Sequence, residues 1–379
     1  MADSSVRPGL EGVLAAETRL SAIDGEAGEL VIAGFPLAEF ATHARFEETL
    51  FALFEDRLPT ADELEAFSAE LRANRTLATG TRTVVERAAE DGQSAMDALR
   101  MGIASATLAR DGDEDLTDDA RLAVAQVPSI VATYWRVREG QPVLEPRREL
   151  SHAGNYLYML TGEEPSDEAV RGLETYLNTV VDHGLNASTF TARAIVSTES
   201  DVVSAVTGAV GALKGPLHGG APGPVLDLLE ETAGADDTET HLREKLEAGE
   251  RLMGFGHRVY RVRDPRAAVL SSAAERFYRD GDEETAFFES ARETEAAALA
   301  ALEEHRPDLE LSTNVEFYTA VLLHGVGIPR DLFSATFAVS RVGGWCAHCL
   351  EQREENRLIR PRSRYVGERD RSWTPLEER

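Results

Sequence analysis

Fourteen residues in the middle of the chain, MGFGHRVYRVRDPR at 253–266, combine four arginines with one histidine and two glycines. Guanidinium groups bind carboxylates and phosphates through paired hydrogen bonds, and an imidazole can donate or accept a proton near neutral pH. The local positive charge is unusual, because the 379-residue chain carries 67 acidic and 39 basic residues and a net charge of −28. The segment therefore predicts a site for an anionic ligand.

Three more polar residues, outside this segment, lie where helical patterns are interrupted. His183 lies in DHGLNASTF, His218 lies in the glycine-rich turn of LKGPLHGGAPGP, and Glu316 lies near the start of LSTNVEFYTAV. Catalytic side chains are often found at such ends of elements. Together with His257, these residues are the candidates for proton transfer.

The remaining motifs do not support other common chemistries. MGFGHRV is not a dinucleotide-binding fingerprint, because Val259 occupies the place of the third glycine and no strand is predicted before it. Neither the HExxH pattern of zinc proteases nor the GxSxG elbow of serine hydrolases occurs. Cys346 and Cys349 form one CxxC pair in a helical stretch, which cannot complete a four-ligand zinc site alone. Packing within a helix is their expected role, and no metal site is predicted.

Composition limits the partners and the location. No apolar run approaches the length of a membrane span, and the start MADSSVRPGLEG lacks the features of a secretion signal, so we expect a cytoplasmic protein. Only Lys214 and Lys245 are lysines. Dense carboxylates with few lysines predict adaptation to molar salt, where charge repulsion is screened. A nucleic-acid partner is not expected, because no basic face is visible.

The elements that must position the candidate residues are predicted to be helices. Thr60 and Glu63 have the spacing of a capping box, and Ser166 is expected to cap a second amphipathic helix. Strand signals are poor, and only GELVIAGF near residue 30 favours a short hairpin arm. The sequence therefore predicts an all-α protein.

Two further details concern helix ends and helix contacts. Ser312 or Thr313 is expected to cap the helix that carries Glu316 in its first turn. In ESDVVSAVTGAVGAL, Gly208 and Gly211 lower helix propensity and are expected to let a neighbouring helix approach closely.

Five segments, in this order along the chain, resemble the citrate synthase family, which includes the 2-methylcitrate synthases. They are LKGPLHGGA, GFGHRVYRVRDPRA, NVEFYTAVLLHGVGIP, FAVSRVGGWCAHCLEQ and LIRPRSRYVG, and the resemblance extends from about Gly9 to about Arg371. It implies a citrate synthase-like, all-α fold with a large helical domain, residues 1–220 and 328–379, and a smaller closing domain, residues 221–327. With the acidic composition, a halophilic, archaeal-type member is expected.

The resemblance also implies an activity. The family condenses acetyl-CoA with oxaloacetate and hydrolyses the citryl-CoA thioester to citrate and CoA, which is an acyl transfer of the tricarboxylic acid cycle. By resemblance Glu316 is the base, His218 the donor to the thioester carbonyl, and His257 the donor to the oxaloacetate ketone. Ser188 is expected to orient His218, and Asn186 is expected to support this arrangement.

The implied ligand-binding residues fall into two groups. Oxaloacetate binding is implied for His183, His257, Arg266, Arg341 and Arg360, the last supplied by the partner subunit of a homodimer. Coenzyme A binding is implied for the residues on both sides of His257: Leu252, Met253, Gly254, Phe255, Gly256 and Arg258. No cofactor beyond the coenzyme A thioester, which is a substrate, and no membrane partner are implied.

One position departs from the family pattern. The usual base is aspartate, and this chain has Glu316, which reaches one methylene further. A compensating backbone offset, a preference for another acyl-CoA, or loss of activity would each account for the change. The alternatives are thus 2-methylcitrate synthesis from propionyl-CoA, since one methylene is worth only about 1–3 kcal/mol of discrimination, and a non-catalytic, ligand-sensing paralogue.

Overall fold

The computed structural model describes residues 6–110, 112, 115–218, 222–256, 260, 262–280, 285–309 and 311–379. Within these ranges the chain forms sixteen α-helices and one small sheet. The all-α fold predicted from the sequence is therefore confirmed. Among the described helices, none has the length and apolar character needed to cross a membrane.

The helices follow one another with short connections. The first ten are α1 Leu37–His43, α2 Phe46–Glu55, α3 Ala61–Ala73, α4 Thr79–Glu90, α5 Ala95–Ala104, α6 Leu116–Arg138, α7 His152–Thr161, α8 Asp167–Val180, α9 Ala187–Val196 and α10 Val202–Leu213. The last six are α11 Pro222–Ala233, α12 Thr238–Glu247, α13 Pro265–Asp280, α14 Thr285–His305, α15 Val315–Gly325 and α16 Phe333–Glu354.

The sheet near the N-terminus has three short antiparallel strands. They are β1 Ser21–Asp24, β2 Glu29–Ile32 and β3 Phe35–Pro36, in the order β1-β2-β3. The turn between β2 and β3 contains Ala33 and Gly34, which both have positive φ, as tight hairpin turns require. The hairpin predicted from GELVIAGF is thus present, and β1 extends it by one strand.

The predicted helix caps agree with the structure in two of three cases. The Thr60 hydroxyl accepts a hydrogen bond from the Glu63 N–H, and the Glu63 carboxylate accepts one from the Thr60 N–H at 2.8 Å. Ser166 caps α8 by accepting from the Ala169 N–H at 3.1 Å. Two local signals were therefore sufficient to locate the starts of α3 and α8.

The cap predicted for α15 was wrong. Asn314, and neither Ser312 nor Thr313, is its N-cap, and its side-chain oxygen accepts a hydrogen bond from the Glu316 N–H at 2.9 Å. Residues 312–314 are instead extended against 254–256: Gly256 N–H donates to the Ser312 carbonyl and Asn314 N–H donates to the Gly254 carbonyl. This long-range pairing moves the cap, while Glu316 still lies in the first turn as predicted.

Helix α16 lies at the centre of the molecule, packed against α2, α6, α8, α9 and α10. Cys346 and Cys349 are buried free thiols on this helix, so the packing role expected for them is confirmed. In the described part of the chain, no group of three or more His, Cys, Asp or Glu side chains could hold a metal ion.

Glycines set two close approaches between elements. A Cβ at Gly208 would lie 2.3 Å from the Ile195 Cδ1 atom, so the predicted tight contact of α10 with its neighbour occurs there, against α9. Gly211 does not need to be glycine for this purpose, because its Cβ would meet nothing closer than 3.9 Å. At Gly344 a Cβ would lie 2.3 Å from the Val181 carbonyl oxygen, so α16 passes directly over the segment that follows α8.

The predicted closing domain, residues 221–327, contains α11 to α15. Within it α11 packs on α14 and α15, α12 packs on α14, and α13 packs on α15. Helices α13 and α15 also contact α8, which belongs to the predicted large domain. The division of the chain into two domains at these boundaries stays a prediction.

Candidate active site

A cavity of about 350 Å³ lies where several helix ends meet the side of α16. Its walls come from the loop after α8, the turn after α10, the segment between α12 and α13, and the starts of α13 and α15. The predicted site residues among its lining are His183, Asn186, His218, Leu252, Met253, Gly254, Phe255, Gly256, Arg266, Glu316 and Arg341. Residues far apart in the sequence are therefore brought to one space.

His218 lies in the turn after α10 and is held by the start of α9. Its Nε2 atom is 2.8 Å from the Ser188 hydroxyl oxygen and 3.3 Å from the Ser188 backbone nitrogen. A backbone N–H only donates, so this contact favours the neutral tautomer with the proton on Nδ1. Burial, together with the positive charge of Arg341, also lowers the pKa of His218. The imidazole is thus prepared to donate a hydrogen bond while neutral.

Ser188 is itself fixed by two other side chains. It is fully buried and accepts a hydrogen bond from the Trp345 indole N–H at 3.0 Å. Its hydroxyl oxygen lies 2.8 Å from the Asn186 carboxamide oxygen and 2.8 Å from His218 Nε2, and its single proton can be donated to either acceptor. Asn186 is the N-cap of α9 and accepts from the Thr189 N–H at 3.1 Å. The predicted pairing of Ser188 with His218 is therefore present, and Asn186 connects it to the helix start.

Glu316 faces the cavity from the first turn of α15. Its carboxylate forms no hydrogen bond and no ion pair with any residue that the structure describes. Burial raises the pKa of Glu316 from 4.5 to about 7, with Asp264 adding to the rise and Arg266 and Arg341 opposing it. An ionised carboxylate without protein partners in a poorly solvated space is a strong proton acceptor.

Arg266 is buried at the start of α13 and is bound by Asp264. Its Nε and one terminal nitrogen donate to the two Asp264 oxygens at 3.1 and 2.9 Å. Burial lowers the pKa of the guanidinium, but the Asp264 charge and hydrogen bonds outweigh burial and the net effect is a rise. Asp264 also accepts from the Val315 N–H at 3.3 Å, so one carboxylate links this arginine to the helix that carries Glu316.

Arg341 reaches the cavity from the middle of α16. It is 2% exposed, its Nε donates to the Val180 carbonyl at 2.7 Å, and its guanidinium carbon lies 4.5 Å from the centre of the Phe337 ring. Burial lowers its pKa to about 10, so the group remains charged at neutral pH. Among described residues its two terminal nitrogens have no hydrogen-bond acceptor, which leaves a planar pair of donors for a ligand carboxylate.

His183 follows α8 and contacts a tyrosine that sequence reasoning had not selected. Its Nε2 atom is 3.1 Å from the Tyr260 hydroxyl oxygen, and the two rings meet edge to face. The guanidinium carbon of Arg266 lies over the ring of this tyrosine, 5.8 Å from the ring centre. Tyr260 therefore connects two of the predicted ligand-binding residues.

The glycine-rich segment 251–256 lines two cavities. A neighbouring cavity of about 610 Å³ shares Arg251, Leu252, Phe255 and Gly256 with the first. Gly254 and Gly256 have φ of +95° and +79°, a conformation that favours glycine, and this lets the backbone turn beside α15. The segment thus offers backbone groups and one arginine to a long ligand that extends from one cavity into the other.

Some predicted residues do not belong to this cavity. Arg360 is exposed on the extended segment after α16 and does not line it. His257 and Arg258, predicted for the ketone and for coenzyme A, lie outside the described residues. For these two positions the predictions stand without a structural description.

Residues that sequence reasoning missed are Trp345, Asp264, Tyr260 and Asn314. Asp264 had a usable signal, because it precedes Arg266 by two residues in the DPR turn. Trp345 had none, since its hydrogen bond to Ser188 spans 157 positions. These residues hold the candidate groups in place, and they form no recognisable catalytic motif in the sequence.

The arrangement can bind a small dianion and remove a proton near it. Arg266 and Arg341 supply positive charge, Glu316 supplies a base, and His218 supplies a neutral hydrogen-bond donor. These are the requirements for taking a proton from carbon and stabilising the negative oxygen that results.

Comparison with known proteins places the chain among close relatives. The family model of the citrate synthase C-terminal domain matches residues 9–362. The citrate synthase of Haloferax volcanii is 45% identical over 386 residues, covering 99% of this chain and 99% of that protein. A 2-methylcitrate synthase of Mycobacterium tuberculosis is 37% identical over 372 residues, covering 97% of this chain and 92% of that protein.

A solved structure agrees over the full length. The citrate synthase of Thermoplasma acidophilum, solved in a ternary complex with carboxymethyl coenzyme A and oxaloacetate, has a TM-score of 0.85 relative to this chain. It is 30% identical and covers 99% of this chain and 100% of that chain. The similarity therefore includes both the fold and nearly all of its connections.

We expect Glu316→Gln to stabilise the folded protein at neutral pH. Folding raises the pKa of this carboxyl from 4.5 to about 7, so the folded chain loses stability relative to the unfolded chain as the pH rises through that window. Glutamine cannot ionise, and its advantage in unfolding free energy should grow across the window to at most about 3 kcal/mol. Denaturant unfolding at fixed KCl and several pH values measures this difference.

The control is Glu303→Gln, which changes an exposed glutamate on α14. Its effect should be small and nearly independent of pH. If the unfolding free-energy difference for Glu316→Gln stays constant between acid and neutral pH, folding does not raise the pKa of this carboxyl.

Proposed function

The chain belongs to the citrate synthase family, and we propose that it condenses acetyl-CoA with oxaloacetate and hydrolyses the product to citrate and CoA. Family membership makes it an acyltransferase. The single observation that carries the detailed proposal is the meeting of Glu316, His218, Arg266 and Arg341 at one cavity. Each of these side chains matches one requirement of the reaction.

Oxaloacetate binds through its two carboxylates in this proposal. The Nε of Arg341 is held by the Val180 carbonyl, which fixes the plane of the guanidinium group. Its two terminal nitrogens lie in that plane and are offered to a carboxylate. Arg266 supplies the second positive charge, and its orientation is fixed by Asp264. His183, held by Tyr260, lies beside them and donates to the bound keto acid. Paired hydrogen bonds from guanidinium to carboxylate fix both position and orientation.

The Glu316 carboxylate removes a proton from the methyl carbon of acetyl-CoA. The electron pair of that C–H bond forms an enolate, whose oxygen accepts a hydrogen bond from the neutral His218 ring. A neutral donor is appropriate, since the carbonyl oxygen then gains stabilisation without taking the proton completely. The contact of the Ser188 N–H with Nε2 supports this tautomer.

The enolate carbon then attacks the ketone carbon of oxaloacetate. The ketone oxygen becomes an alkoxide and takes a proton, for which His257 is the proposed donor, although it lies outside the described residues. Water finally hydrolyses the citryl-CoA thioester, breaking the carbon–sulfur bond and releasing CoA. Closing of residues 221–327 over the substrates would exclude water until condensation is complete.

Coenzyme A extends along the glycine-rich segment. Backbone groups of 252–256 are proposed to meet the adenine, and the shared lining of the two cavities supports a ligand that spans both. Arg251 lines both cavities and is proposed, with Arg258, to neutralise phosphate groups. In a chain with net charge −28, local cations are needed to bind this polyanion.

Glutamate in the place of the family's aspartate is compatible with this mechanism. The Glu316 carboxylate lines the cavity and has no partner that the structure describes, so the additional methylene does not divert it into an ion pair. We propose that the position of the α15 start compensates for the longer side chain. The non-catalytic alternative is disfavoured because a raised pKa is costly to keep at a position without a chemical role.

Acetyl-CoA is proposed as the preferred substrate over propionyl-CoA. The citrate synthase of Haloferax volcanii is 45% identical to this chain, against 37% for the 2-methylcitrate synthase of Mycobacterium tuberculosis. Both thioesters undergo the same reaction, so the enzyme can distinguish acetyl-CoA from propionyl-CoA only by the space around the acyl group.

The functional unit is proposed to be a homodimer in which Arg360 enters the partner's cavity. Ile359 is anchored by its N–H to the Ser197 hydroxyl at 3.0 Å, just after the C-terminal end of α9. His218 is held at the opposite end of that helix, which is about 15 Å long. Arg360 follows this anchor, is exposed and does not line the cavity of its own chain.

We expect thiol release from acetyl-CoA and oxaloacetate in molar KCl, and slower release with propionyl-CoA. Glu316→Gln should lower the rate on the order of a hundredfold or more, while calorimetry still detects oxaloacetate binding. Glu303→Gln is the matched control and should retain the wild-type rate. Equal turnover by Glu316→Gln would remove this residue from the mechanism, and no release from either thioester by the wild type would favour a ligand-sensing protein.

A mixed dimer tests the role of Arg360. Arg360→Ala and Glu316→Gln should each be inactive, but co-expression of the two variants should recover about a quarter of wild-type activity, because half of the dimers then contain one intact site of two. If Arg360 served its own chain, every site in the mixed dimers would carry one defect. Absence of recovery in verified heterodimers would therefore refute the exchange of Arg360 between subunits.

A further inference from the structure

A chain of buried polar side chains lies behind the cavity and has no part in the mechanism described so far. Asp182 is fully buried and immediately precedes His183. His348 is fully buried on α16, and its Nε2 atom is 3.2 Å from an Asp182 oxygen. Arg193, 4% exposed on α9, contacts the other ring nitrogen of His348 at 3.0 Å. We call Asp182, His348 and Arg193 the buried relay.

The geometry fixes the protonation of His348. An arginine nitrogen only donates hydrogen bonds, so the Nδ1 atom that faces Arg193 must be an acceptor. The ring proton then lies on Nε2 and is donated to the Asp182 carboxylate. A doubly protonated ring would place two donors against each other at Nδ1. The hydrogen-bond geometry therefore directs the Nε2 proton of His348 to Asp182 and leaves Nδ1 as the acceptor from Arg193.

Arg193 has two further partners on α16. It donates to the Glu351 carboxylate at 2.5 Å and to the Gln352 side-chain oxygen at 3.1 Å. Buried charges persist only when they are paired and hydrogen-bonded, so each member depends on the next.

The relay touches the proposed substrate site at two points. At one end, the Asp182 carboxylate accepts from the Ser21 hydroxyl, which itself accepts from the Gly184 N–H at 3.0 Å. The backbone on both sides of His183 is thereby held. At the other end, Arg193 attaches α9 to α16, and the start of α9 carries Ser188, which holds His218.

We propose that the buried relay is a positioning device for the condensation reaction, which fixes His183 and the start of α9 relative to Arg341 on α16. This inference rests on the proposed function. Two hydrogen bonds outside the relay also join these elements, from the Trp345 indole N–H to the Ser188 hydroxyl and from Arg341 Nε to the Val180 carbonyl. The relay adds hydrogen bonds between charged groups, which are stronger and fix orientation more closely. None of the three residues lines the cavity, so their effect is transmitted through His183 and His218.

Two substitutions at His348 separate positioning from bulk packing. Glutamine can donate an amide hydrogen to Asp182 and accept from Arg193, whereas leucine can do neither, so among the described residues Asp182 keeps only the Ser21 hydroxyl and Arg193 keeps only Glu351 and Gln352 as partners. We expect His348→Leu to raise the KM for oxaloacetate about tenfold or more, since a displacement of about 1 Å can cost on the order of a hundredfold in rate. His348→Gln should stay within about threefold of wild type, and the KM for acetyl-CoA should change less than that for oxaloacetate.

Controls and a second readout keep this test decisive. His324→Leu, at an exposed histidine on α15, should leave both KM values unchanged. Circular dichroism and melting curves report whether His348→Leu is folded. If it is not, ¹⁵N NMR of histidine-labelled wild type still decides, because His348 should show a proton on Nε2 and none on Nδ1 if Arg193 donates to Nδ1.

Two results would overturn the proposal. One is a folded His348→Leu variant with wild-type KM for oxaloacetate, and the other is an NMR spectrum with the His348 proton on Nδ1 or on both nitrogens. Failure of the proposed function is distinguishable, because it would appear as absence of CoA release by the wild-type enzyme. The tautomer measurement needs no activity and so tests the relay by itself.

Discussion

The site depends on keeping one ionised carboxylate, unpaired among the residues that the structure describes, next to two buried guanidinium groups. Glu316 must not pair with Arg266 or Arg341, because a salt bridge would stabilise the carboxylate and occupy the groups that bind the substrate. The structure meets this requirement by binding Arg266 to Asp264. The negative charge of Asp182 raises the pKa of Arg341 against the effect of burial.

The helical architecture supplies this arrangement from helix ends. The start of α15 presents Glu316, the start of α9 holds His218, and the start of α13 presents Arg266. Only Arg341 comes from the middle of a helix, and α16 is buried along most of its length, so its position is fixed by packing. The partial positive charge of helix starts also favours negative charge, which suits a site for anionic substrates.

Much of this could be predicted from the sequence, and the failures have a common cause. Periodic apolar residues, the caps of α3 and α8, and the interruptions at His183 and His218 are local signals, and they located the elements and the candidate groups. The cap of α15 was missed because residues 312–314 pair with 254–256. Trp345 was missed, and so was the connection of His348 to Asp182 across 166 positions, since a contact between distant residues leaves no local pattern.

The central claim is tested most directly by the pH dependence of kcat/KM for acetyl-CoA in the wild type and in Asp264→Asn. Because the base must be ionised, activity should rise with pH through a midpoint near the pKa of about 7 of Glu316. Asparagine removes a negative charge that raises this pKa, so the midpoint should move to lower pH even though Asp264→Asn also lowers the maximal rate. A midpoint near 4.5, the ordinary value for a glutamate, or one that Asp264→Asn leaves unchanged, would contradict the account.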